Sequence, residues 1–210
     1  MSTQVTDEIA AAAARLVVDE GLDYGGAKRK ALRALGLDGR GSRSAELPSN
    51  EQVEDAVREH IALFHADTQP AELLALRRLA LQWMERLAEF RPHLGGAVWR
   101  GTATRQSVVQ LDLYCDDSKS AEIALINLGL DYEVGSRSDP RPGRGGEHDV
   151  LSLAQRSREL DDWITVHLAV LDHDDLRGAL KPDSRGRSWR GDADALRRLL
   201  QEAGTADTAA

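Results

Sequence analysis

At 210 residues the chain is long enough for one large or two small domains, burying roughly 70% of its unfolded surface. Its 27 Lys+Arg against 35 Asp+Glu leave a net charge of −8, which argues against nucleic acid as a partner and against nonspecific adsorption to anionic membranes. Cys115 is the only cysteine, so no internal disulfide can form and a reducing, cytoplasmic compartment is expected.

The chain opens on acidic and polar residues, with Arg15 inside an Ala run, which is not the pattern of a signal peptide. No apolar run approaches the roughly 20 residues that cross a bilayer, so a soluble chain with no membrane partner is expected. A first helix is predicted from Asp7 to Asp19, with Ile9, Ala13, Leu16 and Val17 on one side and Gly21 as its stop. A second runs from Tyr24 to Leu35, closed by Gly36, and Leu37 to Leu47 is a Gly-, Ser- and Arg-rich linker. Ser49 with Gln52 reads as a capping box that opens a third helix, whose buried stripe is Val53, Val57, Ile61 and Phe64. Pro70 starts a fourth, in which Leu73, Leu76, Ala80, Trp83, Leu87 and Phe90 recur every three or four residues until Arg91-Pro92. This seam is too short to prefer a coiled coil over packing inside the domain.

After Pro92 the period changes. His93–Val98 reads as a short strand, Trp99–Gln106 as a turn and Ser107–Cys115 as a second strand. Asp117 or Ser118 caps a helix through Leu128, ended by Gly129. A short strand is expected over Asp131–Val134 and a mobile loop over Ser136–Asp149, while Val150–Leu160 fits either strand or helix. Trp163–Leu171 alternates Ile164, Val166, Leu168 and Val170 with Thr165, His167 and Ala169, the pattern of a strand. Lys181–Gly191 is a loop, Asp192 caps a last helix containing Leu196, Leu199 and Leu200, and a frayed tail follows from Thr205.

One stretch carries a resemblance. Gly96, Gly101, Ser107, Val109 and Leu111 stand where the nucleotidyltransferase superfamily (the DNA polymerase beta-like, minimal nucleotidyltransferase type) has its loop glycines and second strand. The chain resembles that family with its chemical residues replaced. Ala97 occupies the Ser position of the Gly-Ser pair, and Val108 and Gln110 occupy the two metal-binding Asp positions. Nucleotidyl transfer is an in-line displacement helped by two divalent cations, which want hard oxygen ligands. Two acids at i and i+2 on a strand share a face and can reach one metal pair. Val108 offers no ligand and Gln110 only a neutral carbonyl oxygen. The family's third carboxylate often lies on a neighbouring strand, where this chain has Thr165 and His167. Asp112 remains on the face of Val108 and Gln110, either as a displaced metal ligand or as a solvent-facing acid.

Other constellations are weaker. The turn Arg100–Arg105 holds two cations, hydroxyls and a glycine, and such a turn can cradle phosphate without metal. The loop Lys181–Arg190 sets cations around Trp189, which could stack a nucleotide base or pack over the sheet. His173, among Asp172, Asp174 and Asp175, has no partner at zinc-like spacing. His167 reads as a hydrogen-bonded strand residue, and His60 and His65 carry no distinct signal. Ser107 has no His–acid partner for a triad, and no P-loop occurs. Ala11–Leu37 also resembles the start of tetracycline-repressor-type DNA-binding domains. It breaks at Asp38–Ser44, where the recognition helix should follow, and Lys28, Arg29, Lys30 and Arg33 remain as a cluster able to touch phosphates.

The expected fold is α+β: a helical region over 1–90, a small mixed-sheet nucleotidyltransferase-like α/β domain over 91–204, and a disordered tail over 205–210. The resemblance implies a catalytically degenerate member that binds a nucleotide or other phosphate ligand, or a protein partner, in a regulatory role. Gly96, Arg100, Gly101, Thr102, Arg105 and Ser107 are its expected ligand-binding residues. Two alternatives stay open: an active transferase with a rearranged site at Asp112, and a nucleic-acid binder acting through the N-terminal helices. No cofactor is expected, and Mg2+ enters only with the active transferase.

Overall fold

The computed structural model describes residues 2–37, 46–138, 147–183 and 185–208. They form an α+β fold with a helical N-terminal part, comprising seven α-helices and one five-stranded mixed sheet among the described residues. No described helix is long and apolar enough to cross a membrane. The chain divides into two compact units: Met1–Glu72 with Thr102–Ser107, and Leu73–Gly101 with Val108–Ala210. The division falls inside the helix Gln69–Arg86 and not at the expected step after residue 90. A continuous helix can supply residues to two cores, so its periodicity marks no boundary.

The first unit is built on α1 (Ser2–Glu20), α2 (Tyr24–Ala34) and α3 (Asn50–Phe64). Asp23 caps α2 by accepting from the Gly26 amide. The capping box of α3 is complete: Ser49 Oγ accepts from Gln52 N at 3.1 Å, and Gln52 Oε1 accepts from Ser49 N at 2.8 Å. The apolar faces meet in a core of Ile9, Ala13, Val17, Ala27, Ala31, Val53, Val57 and Ile61 with their neighbours. Phe64, expected on the same stripe, is instead 69% exposed, lying against the His60 ring at 4.7 Å. Periodicity gives direction around a helix but not how far along it a partner extends, and Phe64 is the last residue of α3. The segment 102–107 is stitched into this unit: Thr104 Oγ1 donates to Val18 O of α1 at 3.2 Å, and Gln69 Nε2, from the first turn of the helix Gln69–Arg86, donates to Ala103 O at 2.9 Å. The expected linker falls largely on residues 38–45, outside the described residues.

In the second unit the strands are β1 (His93–Gly95), β2 (Val109–Cys115), β3 (Glu133–Ser138), β4 (Glu147–Ser157) and β5 (Asp162–Asp172). Their order is β1-β2-β5-β4-β3, with β2 and β5 parallel and the other pairs antiparallel. Leu94, Leu111, Leu168 and Leu151 pair in one row and are all fully buried. Each such leucine contributes about 2–3 kcal/mol of burial. The helices here are the later turns of α4 (Gln69–Arg86), α5 (Gly96–Arg100), α6 (Lys119–Asn127) and α7 (Ala193–Thr208).

Several expectations shift. The strand expected over His93–Val98 ends at Gly95, because Gly96 adopts φ +63° and the chain turns into α5. β3 runs to Ser138 and β4 begins at Glu147, so both flanks of the expected loop belong to a sheet and residues 139–146 lie outside the described residues. The ambiguous segment from Val150 belongs to β4. α7 continues through Thr208, past the expected start of the tail; residues 209–210 are not described.

Candidate functional site

The motif-bearing residues of the second unit sit around the turn from β1 into α5. A Cβ added at Gly96 would come within 2.9 Å of Gln110 Oε1, so only glycine lets the Gln110 amide lie against this backbone. Gln110 pairs with Gly95 on one side and His167 on the other, and His167 pairs in turn with Ser152. One sheet face therefore carries the row Gln110, His167, Ser152, with each residue half-buried. Ser152 Oγ and His167 Nδ1 are 2.8 Å apart. Burial holds the His167 imidazole below its ordinary value, helped by the Arg137 charge.

Asp112, expected either as a displaced metal ligand or as a solvent-facing acid, does not face solvent. Its carboxylate forms an ion pair with the Arg190 guanidinium and is only 15% exposed. A carboxylate already charge-compensated by Arg is a poor cation ligand.

Arg100, expected to reach a phosphate, is engaged by groups of its own chain. Its Nη2 donates to Asp183 Oδ2 at 2.9 Å, with both side chains almost wholly buried. Nη1 donates to Ser188 O at 3.3 Å, and the guanidinium stacks on Trp189 at 4.3 Å. Trp189 therefore holds a side chain of its own chain where a nucleotide base was considered. Asp183 further accepts from the amides of Arg185 and Arg187 at 2.9 and 2.8 Å. Burial by itself raises the Asp183 carboxyl, but the Arg187 amide, the Arg100 guanidinium and the Arg185 amide together bring it below the ordinary carboxylate value. The loop is fastened to β1 by reciprocal Leu94–Gly191 hydrogen bonds of 2.8 and 3.0 Å. Gly191 is required there, since a Cβ would strike the Trp99 ring at 2.0 Å.

Of the six expected ligand residues, Gly96, Arg100 and Gly101 belong to the second unit, and Thr102, Arg105 and Ser107 to the first. Thr102 is 1% exposed and its Oγ1 has no hydrogen-bond partner. The turn uses its own amides: Thr104 N donates to Ser107 Oγ at 3.0 Å, Ser107 N to Thr104 O at 2.8 Å, and Arg105 N to Glu72 Oε2 at 3.0 Å. These N–H groups do not converge on an anion site. In the basic cluster, Lys28 Nζ donates to Pro48 O and Asn50 Oδ1, and Lys30 pairs with Glu20.

Three groupings were missed by sequence reasoning: Ser152 with His167, Arg100 with Asp183, and a set formed by Asp19, His60 and His65 in the first unit. In that set Nε2 of His60 and of His65 lie 3.9 and 4.0 Å from Asp19 Oδ1. His173 contributes no site; its Nε2 accepts from Arg91 Nη1 at 3.0 Å. The Cys115 thiol is pushed up by burial and then by Asp117, Asp116 and Asp172, which leaves it a poor nucleophile.

No protein-family model matches the chain, and no curated protein matches it.

Proposed function

We propose that this chain is a catalytically degenerate nucleotidyltransferase-like protein that acts by binding a ligand and not by nucleotidyl transfer. One observation carries the reading: the acid positions implied by the resemblance hold Val108, just before β2, Gln110 on β2, and Thr165 and His167 on the paired strand β5, and the nearby carboxylate of Asp112 is neutralised by Arg190. Nothing in that row can clamp a pair of divalent cations. What it offers is hydrogen-bonding groups: the Gln110 amide against Gly96, and the Ser152–His167 pair on the same face.

The ligand class we assign to this face is a nucleotide or other phosphate compound taken up without metal. Arg137, exposed on β3 and close enough to depress the His167 imidazole, supplies positive charge. Thermal shift with a panel of nucleotides, with and without magnesium, tests it, because a ligand of the native state raises apparent stability by mass action. The expected result is a magnesium-independent rise that His167→Ala and Gln110→Ala abolish. Transfer of label from a nucleoside triphosphate, lost in Asp112→Ala, would replace this reading with an active transferase. A second reading, a protein partner, is supported by Ile123 and Ile126 of α6, which are 53% and 61% exposed. No shift from any nucleotide would favour it.

A further inference from the structure

We infer that the C-terminal ends of α1 and α3 form a binding site for one divalent transition-metal ion of the zinc type, ligated by Asp19 Oδ1, His60 Nε2 and His65 Nε2. The three donor atoms lie within 4.8 Å of one another, with both imidazole nitrogens 3.9–4.0 Å from the carboxylate oxygen. Around a tetrahedral ion with bonds of about 2.1 Å, donors stand about 3.4 Å apart. Small rotations of three side chains close that difference, and the backbone need not move. At 3.9–4.0 Å neither imidazole is hydrogen-bonded to Asp19, so all three donors can turn inward without breaking a bond between them.

The helix geometry explains why these residues meet. His60 and His65 are five apart, which on an uninterrupted helix would point them about 140° away from each other. α3 ends at Phe64, and His65 is its cap at φ −132°, ψ 15°. The chain leaves the helical path there and brings the two rings to 5.9 Å. Asp19 comes from the last turn of α1, which packs along α3.

Electrostatics and ligand chemistry narrow the occupant. Both helices direct their negative dipole ends to this spot, and neither has a basic residue in its last turn. Two imidazoles and one carboxylate suit zinc and its first-row neighbours, and not magnesium or calcium, which require oxygen ligands. Three protein ligands leave a coordination position for water or for a group of another molecule. Arg15, one turn before Asp19, is the charge that opposes the ion; its field is felt at His60.

The test is isothermal titration of the full chain with zinc sulfate, paralleled by the visible spectrum with Co2+. The expected result is one equivalent bound, with a tetrahedral-type cobalt band. His60→Ala, His65→Ala and Asp19→Asn should each weaken binding more than the ~10-fold typical of losing an outer-shell partner, and Arg15→Gln should tighten it. All four positions are at or near the surface, and circular dichroism checks that each variant folds; should one fail, the others decide. No uptake of either ion, or uptake that survives both histidine substitutions unchanged, overturns the site.

Discussion

In the helical unit, Asp19, His60 and His65 come together with donor atoms not bonded to one another. In the sheet unit, the charged residues nearest the family-like motif are taken up by each other: Arg100 by Asp183 and Asp112 by Arg190. Both regions are rich in polar residues, yet among the described residues only the first offers three such ligand atoms close enough together to hold a metal ion. A residue type promises chemistry only while its electrostatic partner lies elsewhere. Two salt bridges occupy the charged groups beside that motif.

The largest effect should come from breaking the buried pair. Arg100→Ala leaves the enclosed Asp183 with only its amide donors and the more distant Arg187 guanidinium at 3.6 Å, and Trp189 without its stacked guanidinium, and calorimetry should show Tm lower by roughly 10 °C. Combining it with Asp183→Ala should recover part of that loss; full additivity would mean that the two side chains are not coupled. Next comes the sheet core, where Leu168→Ala should cost about 3 kcal/mol in urea unfolding. A smaller effect is expected at the turn. Gly96→Ala puts a side chain at φ +63° against Gln110, a loss of about 1–2 kcal/mol, and Gln110→Ala beside it should relieve the contact part but not the backbone part.

The smallest effect separates the neutral row from the ion pairs. His167 is held below its ordinary pKa of 6.5, chiefly by burial. Between its folded value and 6.5 the unfolded chain binds more protons, so stability rises with pH across that window. His167's share is complete above about 6.5 and is lost as pH falls through the folded value. His167→Gln should flatten that slope in melts taken from pH 7 downward. An unchanged slope would mean that His167 titrates alike in both states.

Much of the fold was legible. The capping box at Ser49 and Gln52, the seam from Leu73 to Leu87 and the alternation of Ile164 to Val170 each announce their element, because the signal lies within one or two turns of the residue concerned. α5 was not legible: five residues, Gly96–Arg100, are too few to show a helical period, and they read as the end of a strand through Val98 and the start of a turn at Trp99. β4 was ambiguous because its polar positions, Ser152 and Gln155, do not alternate cleanly. The candidate site was hardest. Gly96 and Gln110 were found because a motif spacing fixed them, but the fate of the charges depended on contacts 78 and 83 residues apart in sequence.

By itself the sequence determined an α+β chain with a helical start, a glycine-bearing turn before a central strand, and no acids at Val108 and Gln110. Those are properties of local spacing and side-chain chemistry. Only the tertiary structure decided that Arg100 faces Asp183, that Asp112 faces Arg190, and that Asp19 lies beside His60 and His65. Electrostatic partnership depends on distance through space, and folding sets that distance with little regard to separation along the chain.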